Sequence, residues 1–278
     1  MDNRAIGVFD SGLGGLSAVK RLMDMAPCED IIFFGDNARV PYGNRGASTI
    51  TRFSLEDISL LLTHNVKMII AACGTVSSTL SPDYADLIHL PFVSVVTPAA
   101  IAAAAVTRNR RVGVIGTAAT IRSGSFSRAL HHIDPLIKPV CQPCPLLVPL
   151  VENGYIQRDN AVTRSVASDY LRSLLDEGVD TLILGCTHYP IIADIIQDIM
   201  GDVVLIDSGT EVVRSALALL DETGSRNDAG GSTAFYVSDS PDGFTGVAEM
   251  FLGHTLSSPV HLISLDDLHI DPCFRRQS

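Results

Sequence analysis

The sequence contains no tryptophan, and lysine is nearly as scarce: Lys20, Lys67 and Lys138 are its only three among 278 residues. None of the three follows a recognisable cofactor motif, so Schiff-base chemistry has no support, and neither do flavin or nicotinamide chemistry. Charge is also thin, at 18% of residues against 46% hydrophobic, which is the opposite of a disordered chain. No apolar run approaches the ~20 residues that span a bilayer. The longest, around Pro98 to Val106, is short and alanine-rich. The opening MDNRAIGVFDSG lacks the charged head, apolar middle and cleavage site of a secretion signal. A cytoplasmic protein without membrane association is therefore expected. Basic residues number 20 against 31 acidic ones, a net charge of -11, and no nucleic-acid partner is expected from that balance.

Six cysteines are too few for a disulfide-stapled scaffold, and in a reducing compartment most should be free. Cys141 and Cys144 have metal-like spacing, but no second pair exists and prolines surround them. No metal site is expected. What the thiols do is the open question.

Apolar runs predict strands at 5–9, 30–35, 66–72, 91–96, 111–116, 180–185, 203–207 and 232–238. Continuous runs of this kind suit parallel sheets covered on both faces. Stretches with helical spacing lie between them, which gives an α/β class with right-handed crossovers. There is also an internal echo. VKMIIAACGT (66–75) and VDTLILGCTH (179–188) each run a buried strand into a cysteine. Two similar half-molecules would put Cys73 and Cys186 at equivalent strand ends, where parallel sheets bind ligands. Boundaries are expected near Thr97–Pro98 and near Asp207–Thr210.

A thiol placed after a strand and at the start of a helix is favoured as thiolate by backbone N–H groups and the helix dipole. Asp10, in DSGLGG, and His188, in CTHYP, each have a context that suits a proton-handling neighbour of one thiol. Asp10 reads equally as a helix cap and His188 as a bonded loop histidine. The turn Gly12-Leu13-Gly14-Gly15 has neither the dinucleotide nor the P-loop spacing. It can cradle an anion, a carboxylate as readily as a phosphate, or simply permit close packing of helix on strand.

IGVFDSGLGGLSAVKRL (6–22), FFGDNARVPYGNRG (33–46), CPLLVPLVENG (144–154) and LGCTHYPII (184–192) together resemble the bacterial glutamate racemases, and the resemblance runs from about Ile6 to Leu252. It implies two pseudo-symmetric α/β domains, 1–97 with 208–278 and 98–207, with the active site in the cleft between them. It implies cofactor-independent interconversion of L- and D-glutamate for peptidoglycan, a small amino-acid substrate and a homodimer. Carried over by position, Cys73 and Cys186 match the catalytic thiols, Asp10 and His188 the side chains that assist them, and Glu152 an acidic neighbour of the second thiol. Asp10-Ser11, Tyr42-Gly43 and Thr187-His188 match substrate-holding segments, as does Thr75. Thr117 and Thr120 are candidates for further hydroxyls.

Two positions depart from the family pattern. Gly74 stands where asparagine is usual, removing an amide expected to bind the substrate; the glycine N–H remains as a candidate substrate contact, and a water can fill the gap. Thr97 stands where glutamate is common, at the domain crossover. These departures leave two other readings open: a racemase for aspartate or another amino acid, and a weakly active homologue that binds a protein partner.

Overall fold

The computed structural model describes residues 1–256 and 258–277. Its strands are β1 (Ile6–Asp10), β2 (Ile31–Gly35), β3 (Met68–Ala71), β4 (Phe92–Ser94), β5 (Arg111–Gly116), β6 (Lys138–Pro143), β7 (Thr181–Leu184), β8 (Val204–Asp207), β9 (Thr233–Val237) and β10 (Val260–Leu262). Eight match the apolar runs of the sequence; β6 and β10 do not. They form two sheets, ordered β10-β9-β2-β1-β3-β4 and β6-β5-β7-β8, and every pairing is parallel.

The order 2-1-3-4 of the first four strands is repeated by β5 to β8 as 6-5-7-8. The two halves are thus pseudo-symmetric, and β9 and β10 extend the first sheet beyond β2. The central strands β1, β3 and β7 are buried along their whole length because helices cover both faces. The helix Leu16–Met25 shows how: Leu16, Ala18, Val19 and Leu22 are buried, while Arg21 points outward. The helix Ser208–Glu222 returns from β8 and packs against both Leu16–Met25 and Val96–Val106. One hydrophobic cluster therefore runs through the two halves. No described helix is long and apolar enough to cross a membrane.

At the end of the first sheet away from the cysteines, Lys67 and Glu29 form a buried ion pair, 2.6 Å apart, with side chains 1% exposed. Lys67 Nζ also donates to the carbonyls of Asp2 and Ser225, at 2.7 and 2.8 Å. Glu29 Oε1 accepts from the Asn227 N–H at 3.0 Å. The pair ties the entrance of β1 to the segment that leads into β9. Lys67→Met would leave a buried carboxylate without a countercharge, which costs about 3–5 kcal/mol. A urea-unfolding midpoint unchanged by this substitution would refute that role.

Candidate active site

Parallel strands deliver the residues just beyond their carboxyl ends to one side of a sheet. Asp10 is the last residue of β1, Cys73 lies two residues beyond β3, and Cys186 lies two residues beyond β7. The two sheets face each other across a cavity of about 440 Å³. Asp10, Ser11, Tyr42, Gly43, Cys73, Gly74, Thr75, Thr117, Glu152, Cys186, Thr187 and His188 all line it. Thr120 does not: it lies behind Thr117, and their hydroxyls are 3.0 Å apart. Thr97 is also absent from the wall and is exposed at the start of the helix Val96–Val106.

The glycine turn after β1 has a guest within the chain. The Asp10 carboxylate accepts from the Gly12 N–H at 2.8 Å and from the N–H of Gly15. Asp10 is 1% exposed, and burial pushes its carboxyl above the usual range against the pull of His188 and these N–H groups. The turn therefore fixes the carboxylate beside the cavity and does not itself cradle an external anion. Thr187, from the second half, donates to Asp10 Oδ2 at 3.4 Å.

Cys73 caps the helix Gly74–Thr79, as expected, but the thiolate is not favoured there. Burial, with the Asp10 carboxylate second, pushes the thiol up to about 12. The Ser11 hydroxyl at 3.2 Å and the N–H groups of Val76 and Ser11 pull the other way and lose. The reason is geometric: the helix is under two turns long, whereas the thiol is buried and faces a carboxylate.

Cys186 has a different neighbour. His188 Nδ1 is 3.7 Å from its sulfur, and His188 Nε2 is 3.0 Å from Glu152 Oε1. Burial pulls the imidazole down, but its hydrogen bonds to Cys186 and Glu152 outweigh that and push it up to about 10. At neutral pH it is an imidazolium that donates to both. Phe251 stands edge-on to the ring with centroids 5.6 Å apart, which fixes its plane. Among the described residues His188 is also the only cationic side chain of the wall, since neither lysine nor arginine lines the cavity.

Tyr42 reaches the cavity, but its phenol turns into the first half. It donates to Asp36 and, at 3.3 Å, to Asp57. Both carboxylates are completely buried around Arg39, which also binds Glu56. This network holds the loop that carries Tyr42 and Gly43, and the backbone of that loop is what the cavity sees. Reading the motifs missed an apolar part of the wall, Pro145, Leu146, Val148 and Pro149. Its residues lie inside CPLLVPLVENG, but nothing in their type marks them for chemistry.

The profile of the Asp/Glu/Hydantoin racemase family matches residues 15–216. The chain is 43% identical over 266 residues to glutamate racemase of Geobacter metallireducens, covering 95% of this chain and 97% of that one. Among solved structures, glutamate racemase isoform RacE1 from Bacillus anthracis superposes with a TM-score of 0.91 at 33% identity, over 95% of this chain and 99% of that one. Glutamate racemase from Francisella tularensis, solved in complex with D-glutamate, superposes with a TM-score of 0.89 at 39% identity, over 96% and 99%. Sequence and fold agree over nearly the whole length: the chain belongs to the Asp/Glu/Hydantoin racemase family and is an isomerase of the amino-acid racemase kind.

Proposed function

We propose that the chain interconverts L- and D-glutamate, with Cys73 and Cys186 as the two proton carriers. One observation carries the reading: the two thiols reach a shared cavity from equivalent strand ends of opposite halves. Racemisation needs a proton removed from one face of the α-carbon and another delivered to the opposite face. A single base would have to move or exchange its proton between the two events, and two facing thiols do not.

The two sulfurs are differently prepared. Cys73 is held as a thiol by burial and Asp10. Beside Cys186 stands the imidazolium of His188, a charged donor 3.7 Å from the sulfur. In one direction Cys186 takes the α-proton, the C–H electron pair passes into the α-carboxylate, and Cys73 returns a proton to the far face. That leaves Cys186 protonated and Cys73 deprotonated, which is the pair the other enantiomer requires. Asp10 supports Cys73, and His188, oriented by Glu152, supports Cys186.

The developing charge on the carboxylate must be met by fixed donors in a dry site. Candidates are the hydroxyls of Ser11, Thr75, Thr117 and Thr187 and the first-turn N–H groups of the helix Gly74–Thr79, which have no acceptor inside the helix. Thr120 acts through Thr117. The same reading takes 1–97 with 208–278 and 98–207 as the two domains, and places the enzyme in the cytoplasm as a homodimer that supplies D-glutamate for peptidoglycan.

The test is α-proton exchange in deuterium oxide. Either enantiomer of glutamate is expected to gain deuterium at the α-carbon as the other appears. Inert glutamate alongside turnover of a different amino acid would replace the substrate in this reading.

A further inference from the structure

We infer that Gly74 sets how closely the two thiol-bearing turns approach, and so acts as a positioning residue for proton transfer between the two faces of the substrate. The inference rests on the two-thiol reading. Gly74 comes directly after Cys73, and Gly185 directly before Cys186. A Cβ placed on Gly74 would lie 2.0 Å from the carbonyl oxygen of Gly185, 3.1 Å from its carbonyl carbon and 3.8 Å from Cys186 Cα. The backbone of one thiol's turn thus rests on the backbone of the other's. The amide missing at this position leaves no gap for a water, because the second half fills the space.

Two other glycines of the first half also face the second, but their neighbours are of another kind. A Cβ on Gly14 would meet the side chains of Thr187 and His188, and one on Gly43 the side chain of Thr117. Side chains can rotate, whereas a carbonyl in a fixed turn cannot. The Gly185 turn is fixed: its N–H donates to Ile115 O at 2.8 Å, and a Cβ on Gly185 would meet that same oxygen at 2.8 Å and the Phe126 ring at 3.1 Å. It has no room to retreat into its own half. A side chain at position 74 therefore forces the two turns apart, by about 1.4 Å to reach an ordinary contact.

Such a shift would not be confined to Gly74. The Thr75–Thr117 hydroxyl pair at 2.9 Å and the Thr187–Asp10 pair at 3.4 Å both cross between the halves beside the thiols. Both would open beyond hydrogen-bond range. A 1 Å misplacement of reacting groups costs about 100-fold in rate. Proton return from the far thiol suffers most, because it needs both sulfurs in reach of one carbon, whereas abstraction and return by the same thiol needs only one.

Gly74→Ala tests this with two readouts. The first is iodoacetamide labelling followed by peptide mass mapping. Cys73 and Cys186 are 5% and 6% exposed, and both are expected to label at least about tenfold faster in the variant as the cleft opens. The second is the ratio of racemisation to α-proton exchange with glutamate, expected to fall about tenfold or more, with racemisation itself down about 100-fold. A cooperative melt close to that of the parent is expected throughout, since the contact lies between halves rather than within a core. Parental labelling rates and a parental ratio in a folded variant would overturn the inference. So would a variant that does not fold, which would place Gly74 in the fold and not in the closure. Labelling needs no substrate, so it reads the closure even if glutamate proves inert, an outcome that would count against the racemase reading alone.

Discussion

Replacing either Cys73 or Cys186 with alanine is expected to abolish net racemisation of glutamate, a loss of about 10⁴-fold. The size of the effect comes from where the neighbouring groups sit. Among the described residues that line the cavity, Asp10, His188 and Glu152 are the only carboxylate or imidazole side chains, and each is bound on its own side. Asp10 is held by the glycine turn and by Thr187, and His188 by Glu152 and the Phe251 ring. Neither can reach the α-carbon in place of a sulfur without giving up those contacts. The two single variants should also differ from each other. Each is expected to keep α-proton exchange for the one enantiomer whose proton faces the remaining thiol, and to lose it for the other. Chiral chromatography with deuterium incorporation reads both quantities. Racemisation within tenfold of the parent in either variant would refute the two-thiol mechanism.

His188→Asn is expected to lower turnover about 100- to 1000-fold and to change its pH dependence. The imidazole titrates at about 10 in the folded protein, above its ordinary 6.5. A raised basic group contributes stability fully below its unfolded pKa, and that contribution is lost as pH rises through the folded value. His188 therefore keeps its proton through neutral pH and releases it near pH 10. Above that, the neutral ring no longer offers a charged donor beside Cys186, and turnover that relies on it falls. The parent should show an alkaline decline in kcat centred near pH 10. Cys73, at about 12, titrates too high to cause it. In His188→Asn the decline should disappear while asparagine keeps a hydrogen bond to Glu152. A decline that persists in the variant would assign the limb to another group.

The parallel sheets were legible because β1, β3 and β7 are buried on both faces and read as unbroken apolar runs. β6 was not, since Lys138, Pro139 and Pro143 interrupt it and it lies half-buried at a sheet edge, where proline is tolerated. β10 is a three-residue edge strand. At the site, the strand-to-cysteine echo was visible because it is local. The protonation of Cys73 was not, because it depends on enclosure and on Asp10, 63 positions away in the chain. Gly74 looked like a lost hydrogen bond for the same reason: local spacing shows the missing amide but not the Gly185 carbonyl that comes from the other half. Thr97 looked close to the site by its place at the crossover, yet the helix that begins at Val96 turns it outward.

The absence of lysine and arginine from the described cavity wall bears on how a substrate arrives. Glutamate carries two carboxylates, and the protein carries a net charge of -11. Beyond a Debye length of about 8–10 Å neither feels the other strongly, and inside it the average force is repulsive. The net charge thus supplies no long-range attraction toward the cleft. Attraction begins only where the hydroxyls, N–H groups and the single imidazolium come within hydrogen-bond reach. The cleft recognises its ligand by touch, through the placement of short-range donors between two halves that must already be nearly closed.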